Sequence, residues 1–429
     1  MATNRAARNW GFHMLLGSTQ PVARGDKAWR EGEYAHGFVA DGFEPVLGAF
    51  KASILAEEAL GAACTIIKDG KVVVDLVGGW KDEARQNPWC EGDIALVYSL
   101  TKGLTGMAGA VAVSRGLFAY EDKVADIWPE FAAHGKGDVT VGEALSEQAG
   151  LAAIDFKLTL ENIGDEEAIC AAIAAQKPNW RPGDYSGNHA YTLGWIASEL
   201  IHRRDPKGRR LPQFFAEEIA GPLGVDVFVG LPESFDRRRI ASIKGFGMED
   251  LFIHHTTMPW ALTFKMCLPG TLAFRTLNNP LVLEGPGALD KEDFWRVGQG
   301  AAGGMASAHG LARLYDAFAQ GGEELGVTPE VMATLEAGHH LPKKGLKDQV
   351  LTADMYYSLG FEKPFSEWEY ARTRSAFGSF AVGGSLAFCD PDDGVSYAWI
   401  TNQLGTGKWD DPREKMVRDA FYTCLENGA

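Results

Sequence analysis

The order of secondary-structure signals along the chain is the feature that most constrains its fold. Residues 64–77 contain two runs of β-branched residues around Lys68-Asp-Gly-Lys71, a pattern typical of a β-hairpin. Ser385–Cys389 and Val395–Thr401 predict two more strands near the other end of the chain. The segment between them has mainly helical spacing of its apolar residues. Because no linker-like segment divides the chain, we predict one sheet built from both ends, with an inserted helical lobe.

Helices are predicted over 43–63, 99–115, 303–320 and 412–425, from apolar residues that recur every three or four positions. The chain has 429 residues, which is enough for one large two-lobed domain.

Charge and cysteine usage exclude several classes of function. The formal net charge is −16, whereas nucleic acids and anionic membranes attract basic surfaces. The six cysteines form no C-x-x-C pair, so we expect reduced thiols and no zinc site.

The apolar run after Trp10 resembles a weak signal peptide, but it is short and His13 interrupts it. No stretch approaches the roughly 20 apolar residues of a membrane span, and we expect a cytoplasmic protein.

A Ser-x-x-Lys step opens the predicted helix that begins at Ser99. Ser99 and Lys102 are three residues apart, so their side chains share one face of the helix. A lysine in apolar surroundings gives up its proton more readily and can then deprotonate a serine hydroxyl. The helix N-terminus and the serine N–H favour an oxyanion at this place. This pattern indicates Ser99 as a nucleophile and Lys102 as its activator.

The same step also arises by chance, in which case Ser99 would cap the helix and Lys102 would be solvated. Its context favours chemistry, because the helix is rich in small apolar residues and follows a hairpin that ends at Gly78-Gly-Trp80. From this point the chain resembles the β-lactamase-related serine hydrolases, which include class C β-lactamases, D-peptidases and family VIII carboxylesterases. The resemblance covers about residues 40–425 and is carried, in order, by residues 61–79, 98–103, 123–131, 139–150, 180–183, 192–195, 300–309 and 383–391.

The resemblance implies an α/β protein of the α+β kind, with an antiparallel sheet flanked by helices and an inserted, mostly helical domain, as in class C β-lactamases. We place the discontinuous sheet domain at 1–119 and 300–429. The helical domain, with the loops of a substrate pocket, is placed at 120–299. The expected partner is a small-molecule ester or amide, with no metal or cofactor, no nucleic acid and no membrane. Homo-oligomerisation is left open.

The family's second element is a tyrosine that shares the proton relay with the lysine. Tyr185 falls at this place, counted back from Leu193-Gly194, but the loop after Gly183 is short. Asn188 follows one position later than the family pattern requires. Three interpretations stay open: Tyr185 is the relay residue on a shortened loop, Asn188 faces the cleft while Lys102 acts alone as base, or the site is degraded or serves different chemistry. We take Tyr185 as catalytic and Asn188 as substrate-binding.

The family's third element is a Lys-Thr-Gly or His-x-Gly tripeptide on a strand beside the site. Its best match is Ser379-Phe-Ala381, which lacks the cation or imidazole. The strand can still offer a backbone N–H near Val382 to an oxyanion, so Ser379, Val382 and Gly383 are predicted to bind substrate. Gly383 also fits a bulge or a close backbone approach. Without the charge that holds a β-lactam carboxylate, ester or amide substrates are expected.

The function that the resemblance implies is hydrolysis of a carboxylic ester through an acyl-Ser99 intermediate. Lys102 takes the serine proton with the help of Tyr185, and water releases the acyl group. Two alternatives stay open. One is an amidase, D-peptidase or acyltransferase on the same scaffold, and the other is a non-catalytic relative that binds a small molecule in the cleft.

Overall fold

The structure is a computed structural model that describes residues 35–56, 59–247, 260–281, 285–407 and 409–429. Its strands are β1 Ala35–Val39, β2 Gly61–Lys68, β3 Lys71–Gly79, β4 Ile94–Leu96, β5 Val227–Val229, β6 Ile240–Ala241, β7 Gly304–Ala306, β8 Tyr357–Ser358, β9 Phe361–Glu362, β10 Phe377–Phe380, β11 Leu386–Asp390 and β12 Val395–Thr401. Its α-helices are α1 Glu44–Ala56, α2 Leu100–Ser114, α3 Val124–Ile127, α4 Val141–Leu145, α5 Glu166–Ala175, α6 Thr192–Arg204, α7 Leu211–Phe215, α8 Gly221–Leu223, α9 Trp260–Cys267, α10 Leu272–Leu277, α11 Glu292–Val297, α12 Ala308–Ala319, α13 Pro329–Ala337 and α14 Pro412–Glu426.

The main sheet joins the two ends of the chain. Its eight strands run in the order β1-β3-β2-β12-β11-β10-β9-β8, and neighbouring strands are antiparallel. The C-terminal strand β12 pairs along β2 from Val395 opposite Lys68 to Thr401 opposite Ala62. This pairing confirms the predicted antiparallel sheet flanked by helices. The predicted hairpin turn is also present, with Asp69 and Gly70 both at positive φ, as a two-residue turn of this kind requires.

Both faces of this sheet are covered, which explains why its central strands β2 and β12 are buried along almost their whole length. Side chains alternate between the faces, so Ile66 and Trp399 join one core while Ile67 and Ile400 join the other. Helices α1 and α14 cover the first face. Helix α12 covers the second, where Ser396 Oγ donates a 2.8 Å hydrogen bond to the carbonyl of residue 312.

A second, four-stranded sheet has the order β5-β7-β4-β6 and supports the segment that precedes Ser99. Its strand β7 corrects the helix predicted over 303–320, because residues 304–306 pair with β4 and β5 and the helix begins only at Ala308. Strand β1 was not predicted, since its Ala-His-Gly-Phe-Val sequence has no alternation of apolar and polar residues.

Within the described ranges, no helix is both long and apolar enough to cross a lipid bilayer. The predicted signal-like segment after Trp10 lies outside these ranges.

Helix α2 packs closely on the edge of the main sheet. A Cβ atom on Gly103 would lie 2.3 Å from Tyr315 Oη and 3.4 Å from Ser379 Oγ, and one on Gly106 would lie 2.9 Å from the carbonyl oxygen of Leu359. These two glycines therefore let the helix approach β9 and β10. Ser379 thus lies against Gly103, which is about one helical turn after Ser99 in the chain.

Candidate active site

Ser99 lies at the junction between β4 and helix α2. The preceding residue, Tyr98, has φ 44°, a left-handed conformation that costs a bulky residue about 1–3 kcal/mol. Tyr98 is held there by a bridge to Gly303 and by a 3.0 Å hydrogen bond from its hydroxyl to the carbonyl of Pro286. In the described structure the Ser99 hydroxyl makes no capping hydrogen bond to its helix. The strained turn therefore presents Ser99 at the helix N-terminus, and the capping role is not observed.

Lys102 is buried, with 2% of its side chain exposed, and is held by two acceptors. Its Nζ donates a 2.8 Å hydrogen bond to Glu147 Oε1 and a 2.5 Å hydrogen bond to Asn188 Oδ1. It also lies 5.7 Å from the centre of the Tyr357 ring. An ammonium group removed from water needs such partners, and the solvated role considered for Lys102 is excluded.

Glu147 is the ionic partner of Lys102 and was not predicted. It follows α4 at φ 58°, and only 2% of its side chain is exposed. Its second oxygen, Oε2, accepts a 2.8 Å hydrogen bond from the backbone N–H of His189. Both carboxylate oxygens are therefore fixed, one by the lysine and one by the loop that carries Asn188. The sequence gave one signal for Glu147, which is that it lies within residues 139–150, one of the segments that resemble the family.

Asn188 is positioned from its backbone as well as from its side chain. Its N–H donates to Asp348 Oδ2 at 2.8 Å, and the same oxygen accepts a 2.6 Å hydrogen bond from the Tyr357 hydroxyl. Burial raises the pKa of the Asp348 carboxyl to about 6. The amide oxygen of Asn188 thus faces Lys102 on a loop held at both ends.

Tyr185 lies elsewhere, which corrects its predicted contact with Lys102. Its ring packs against Lys344, whose Nζ is 4.9 Å from the ring centre, and its carbonyl accepts a 2.9 Å hydrogen bond from Trp180 Nε1. The Lys102 contact expected of this tyrosine is made by Asn188 instead. The physical reason is the short loop after Gly183, in which Gly187 N–H is bonded to the Glu147 carbonyl and directs the chain inward at 188 and not at 185.

His189, next to the site, is a neutral structural residue. Its Nε2 accepts a 3.0 Å hydrogen bond from Leu151 N–H, so Nδ1 carries the proton and donates to the Gly187 carbonyl at 2.6 Å. Burial lowers its pKa to about 3. The ring therefore fixes the loop that holds Asn188.

Ser379 is the residue that the sequence matched to the first position of the expected tripeptide. It is buried, and its Oγ donates a 2.8 Å hydrogen bond to Glu362 Oε2. Burial raises the pKa of the Glu362 carboxyl to about 8, against the opposing charge of Lys102 and with the support of the Glu147 charge. The interior beside α2 thus contains one ammonium, from Lys102, and three carboxyl groups, from Glu147, Asp348 and Glu362. Neither Glu362 nor Asp348 was predicted.

Val382 and Gly383 form the turn between β10 and β11. Val382 is 37% exposed. Among the described residues, its N–H and the N–H of Ser99 donate no hydrogen bond within the protein. Gly383 has φ +94°, and a Cβ there would lie 2.3 Å from Leu404 Cδ2, so this glycine serves a close approach of the chain. Nothing in these contacts places Gly383 against a ligand.

The chain is similar to known proteins over most of its length. Residues 48–420 match the profile of the Beta-lactamase family. The esterase/beta-lactamase LipL of Mycobacterium tuberculosis is 31% identical over 376 residues, which are 84% of this chain and 81% of LipL. A crystal structure titled as a family VIII carboxylesterase is 31% identical with a TM-score of 0.79, over 91% of this chain and 100% of that one. A penicillin-binding protein homologue from Caulobacter crescentus is 32% identical with a TM-score of 0.78, over the same shares.

Proposed function

Because the chain belongs to the Beta-lactamase family of serine hydrolases, we propose that it cleaves carboxylic esters through an acyl-Ser99 intermediate. This proposal rests on the arrangement of Ser99 and Lys102 at the start of α2. Ser99 is uncapped at the helix N-terminus, and the buried Lys102 follows it by one turn on the same face. A serine in this position is stabilised as an alkoxide by the helix dipole. It also lies near a side chain that can accept the proton of its hydroxyl.

The polarity beside the helix supports an ester over a β-lactam. Ser379 is neutral, and its hydroxyl is already bonded to Glu362, so this strand presents no cation to a substrate carboxylate. One similar structure is described as a family VIII carboxylesterase, which agrees with an ester substrate. LipL is described as both an esterase and a β-lactamase and favours neither substrate. A D-aminopeptidase of Cereibacter sphaeroides is 27% identical over 173 residues, which are 38% of this chain and 32% of that protein. Because a D-aminopeptidase cleaves amide bonds, amide substrates are the control that tests the proposed preference for esters.

In the proposed reaction Ser99 Oγ attacks the ester carbonyl, and Lys102 Nζ, in its neutral amine form, takes the Ser99 proton. The oxyanion is bound by the N–H groups of Ser99 and Val382, which make no competing hydrogen bond among the described residues. The same lysine protonates the departing alcohol, and water then releases the acid. Asn188 fixes Lys102 from the other side. Tyr185 takes no part, since its ring packs on Lys344.

A non-catalytic ligand-binding role is the second candidate, favoured by one specific observation. Both polar contacts of the Lys102 ammonium are acceptors, and one of them is the carboxylate of Glu147. A lysine engaged by these two acceptors also fits a purely structural role, as the counter-charge that a buried carboxylate requires. A fluorophosphonate probe separates the candidates, because a protein that only binds its ligand leaves Ser99 unlabelled.

The direct test measures turnover of p-nitrophenyl acetate and butyrate by the wild type and Ser99→Ala, with the matching p-nitroanilides as amide controls. Mass spectrometry locates the trapped acyl group. We expect ester turnover that is lost in Ser99→Ala, an acyl mass on the Ser99 peptide, and slower cleavage of the anilides. Equal turnover by both proteins, or no turnover and no adduct, contradicts the acyl-serine reaction.

We also propose that the protein works in the cytoplasm. The six cysteines are free thiols, and burial raises the pKa of Cys64 and Cys389 well above the usual range, as expected of packed, reduced residues. Fractionation of the native host with an antibody against this chain tests the location, and recovery outside the cytoplasm contradicts it.

A further inference from the structure

The site contains a lysine that must lose a proton before it can accept one. We propose that Glu147 takes this proton, so that the Lys102–Glu147 pair, and not Lys102 alone, is the base that serves Ser99. This inference rests on the proposed acyl-Ser99 reaction and assigns a role to a residue that acts through Lys102. Glu147 is in that sense a positioning residue that also holds a proton.

Among the contacts of Lys102, Glu147 is the group able to receive a proton. Its Oε1 lies 2.8 Å from Lys102 Nζ. The other polar contact, the amide oxygen of Asn188, accepts a hydrogen bond but does not become protonated at neutral pH. Tyr357, whose ring lies near the ammonium, directs its hydroxyl to Asp348. Among the described residues, the proton can therefore leave Lys102 directly along the bond to Glu147.

Burial makes this transfer accessible. Both side chains of the pair are 2% exposed, so each charge has lost most of its hydration. In such a site the neutral amine and carboxylic acid compete with the ion pair, since neutralisation removes two desolvated charges at once. Asp348 and Glu362 are further carboxyl groups beside the pair, and negative charge on either one opposes charge on Glu147. The transfer leaves the net charge of the pair at zero.

The steps balance as follows. One Nζ–H bond of Lys102 breaks and its proton passes to Glu147 Oε1, which leaves an amine and a carboxylic acid. Ser99 Oγ bonds to the ester carbon as its proton passes to Lys102 Nζ. The C–O bond to the alcohol breaks, and the alcohol takes that proton from Nζ. Water repeats the sequence on the acyl group, Ser99 recovers its proton from Lys102, and Glu147 then returns the stored proton to the lysine.

The test compares Glu147→Gln with Glu147→Asp by the pre-steady-state burst of p-nitrophenol from p-nitrophenyl acetate across a pH series. Glutamine can accept the hydrogen bond from Lys102 but not its proton, whereas aspartate keeps the carboxylate. We expect acylation about 100-fold slower in Glu147→Gln, with substrate affinity unchanged, and recovery to within about 10-fold of the wild type in Glu147→Asp. Acylation by Glu147→Gln at the wild-type rate or faster overturns the proposal, since removing the counter-charge would then free the lysine.

In Glu147→Gln the side-chain NH2 can replace the oxygen that accepts the hydrogen bond from His189 N–H, so the variant could lose activity for a structural reason. A second variant controls for this loss. Glu147→Ala leaves a cavity beside Lys102, and formate should restore acylation in proportion to its concentration, whereas formamide, the neutral amide of similar size, should not. No effect of formate on the folded variant contradicts the relay. Mass spectrometry of wild-type Ser99 keeps the two proposals apart: no acyl-Ser99 removes the reaction itself, whereas acyl-Ser99 with unaffected Glu147 variants removes only the relay.

Discussion

Lys102 Nζ and Asn188 Oδ1 are joined by a 2.5 Å hydrogen bond inside the site, at the place where the resemblance led us to expect a phenol. An amide oxygen can orient an ammonium, but it cannot exchange a proton with it at neutral pH. Of the two polar contacts described for Lys102, the carboxylate of Glu147 is therefore the one that can exchange a proton with it.

Asn188→Tyr should accelerate acylation, by about 10-fold. Asn188 is half-buried on a loop, and a tyrosine there brings an ionisable hydroxyl towards Lys102, which adds a second route for the serine proton. The measurement is the burst rate with p-nitrophenyl acetate at pH 7 to 9. Asn188→Phe is the matched control, since it has the same ring without the hydroxyl. Equal rates for the two variants would show that the gain came from shape and not from proton transfer.

Tyr185→Phe should leave acylation within about 3-fold of the wild type, because the ring contact with Lys344 survives the loss of the hydroxyl. The same burst assay measures it. A loss of 100-fold or more would return Tyr185 to the proton relay and show that the loop rearranges when substrate binds.

The sequence predicted strands β2, β3, β11 and β12 of the main sheet because their signals are local. The Asp69-Gly70 turn and the runs at Ser385–Cys389 and Val395–Thr401 each specify strand geometry over a few residues, and the structure has strands at these places. The helix prediction was wrong at residues 303–307, because Gly303 and Gly304 carry no periodic signal that separates a strand from a helix. Strand β7 forms there through pairing with β4 and β5, which are distant in sequence.

Within the site, the Ser99–Lys102 step was predictable because both residues belong to one helical turn. Glu147, Asp348 and Glu362 were not, since they come from three separated segments and each is an ordinary acidic residue until folding buries it. The exchange of Tyr185 for Asn188 depends on where a shortened loop turns inward, and spacing alone gave no measure of that.

Gly103→Ala should destabilise the protein by about 1–3 kcal/mol and reduce acylation, because the new methyl group would lie 2.3 Å from Tyr315 Oη and push α2 off the sheet. Gly109→Ala in the same helix is the control. Its Cβ would lie 3.3 Å from Leu145 Cδ1, and alanine favours a helix by up to about 1 kcal/mol over glycine. Urea unfolding followed by fluorescence gives both values. Equal stabilities would contradict the close approach of α2 to Tyr315, the residue of helix α12 that the new methyl group would meet.

The last prediction concerns stability between pH 6.5 and 8, where Glu362 should make the protein less stable as the pH rises. Its folded pKa is about 8, against an ordinary value of 4.5, so in this range the folded state keeps a proton that the unfolded state has lost. The stabilisation is complete below pH 4.5 and is lost as the pH rises to about 8. Asp348 acts in the same direction, but only up to its pKa of about 6. His189, with a folded pKa of about 3, acts in the opposite direction, and only below 6.5.

Glu362→Gln tests this assignment, because its amide oxygen can still accept the hydrogen bond of Ser379 while it carries no titrating proton. Calorimetric melting temperatures of the wild type should fall by a few degrees between pH 6.5 and 8, and those of the variant should fall by less. Parallel curves would mean that the folded Glu362 is already ionised at pH 6.5. The buried cluster would then contain a further negative charge beside Lys102, and a carboxylate at Glu147 would accept the lysine proton more readily.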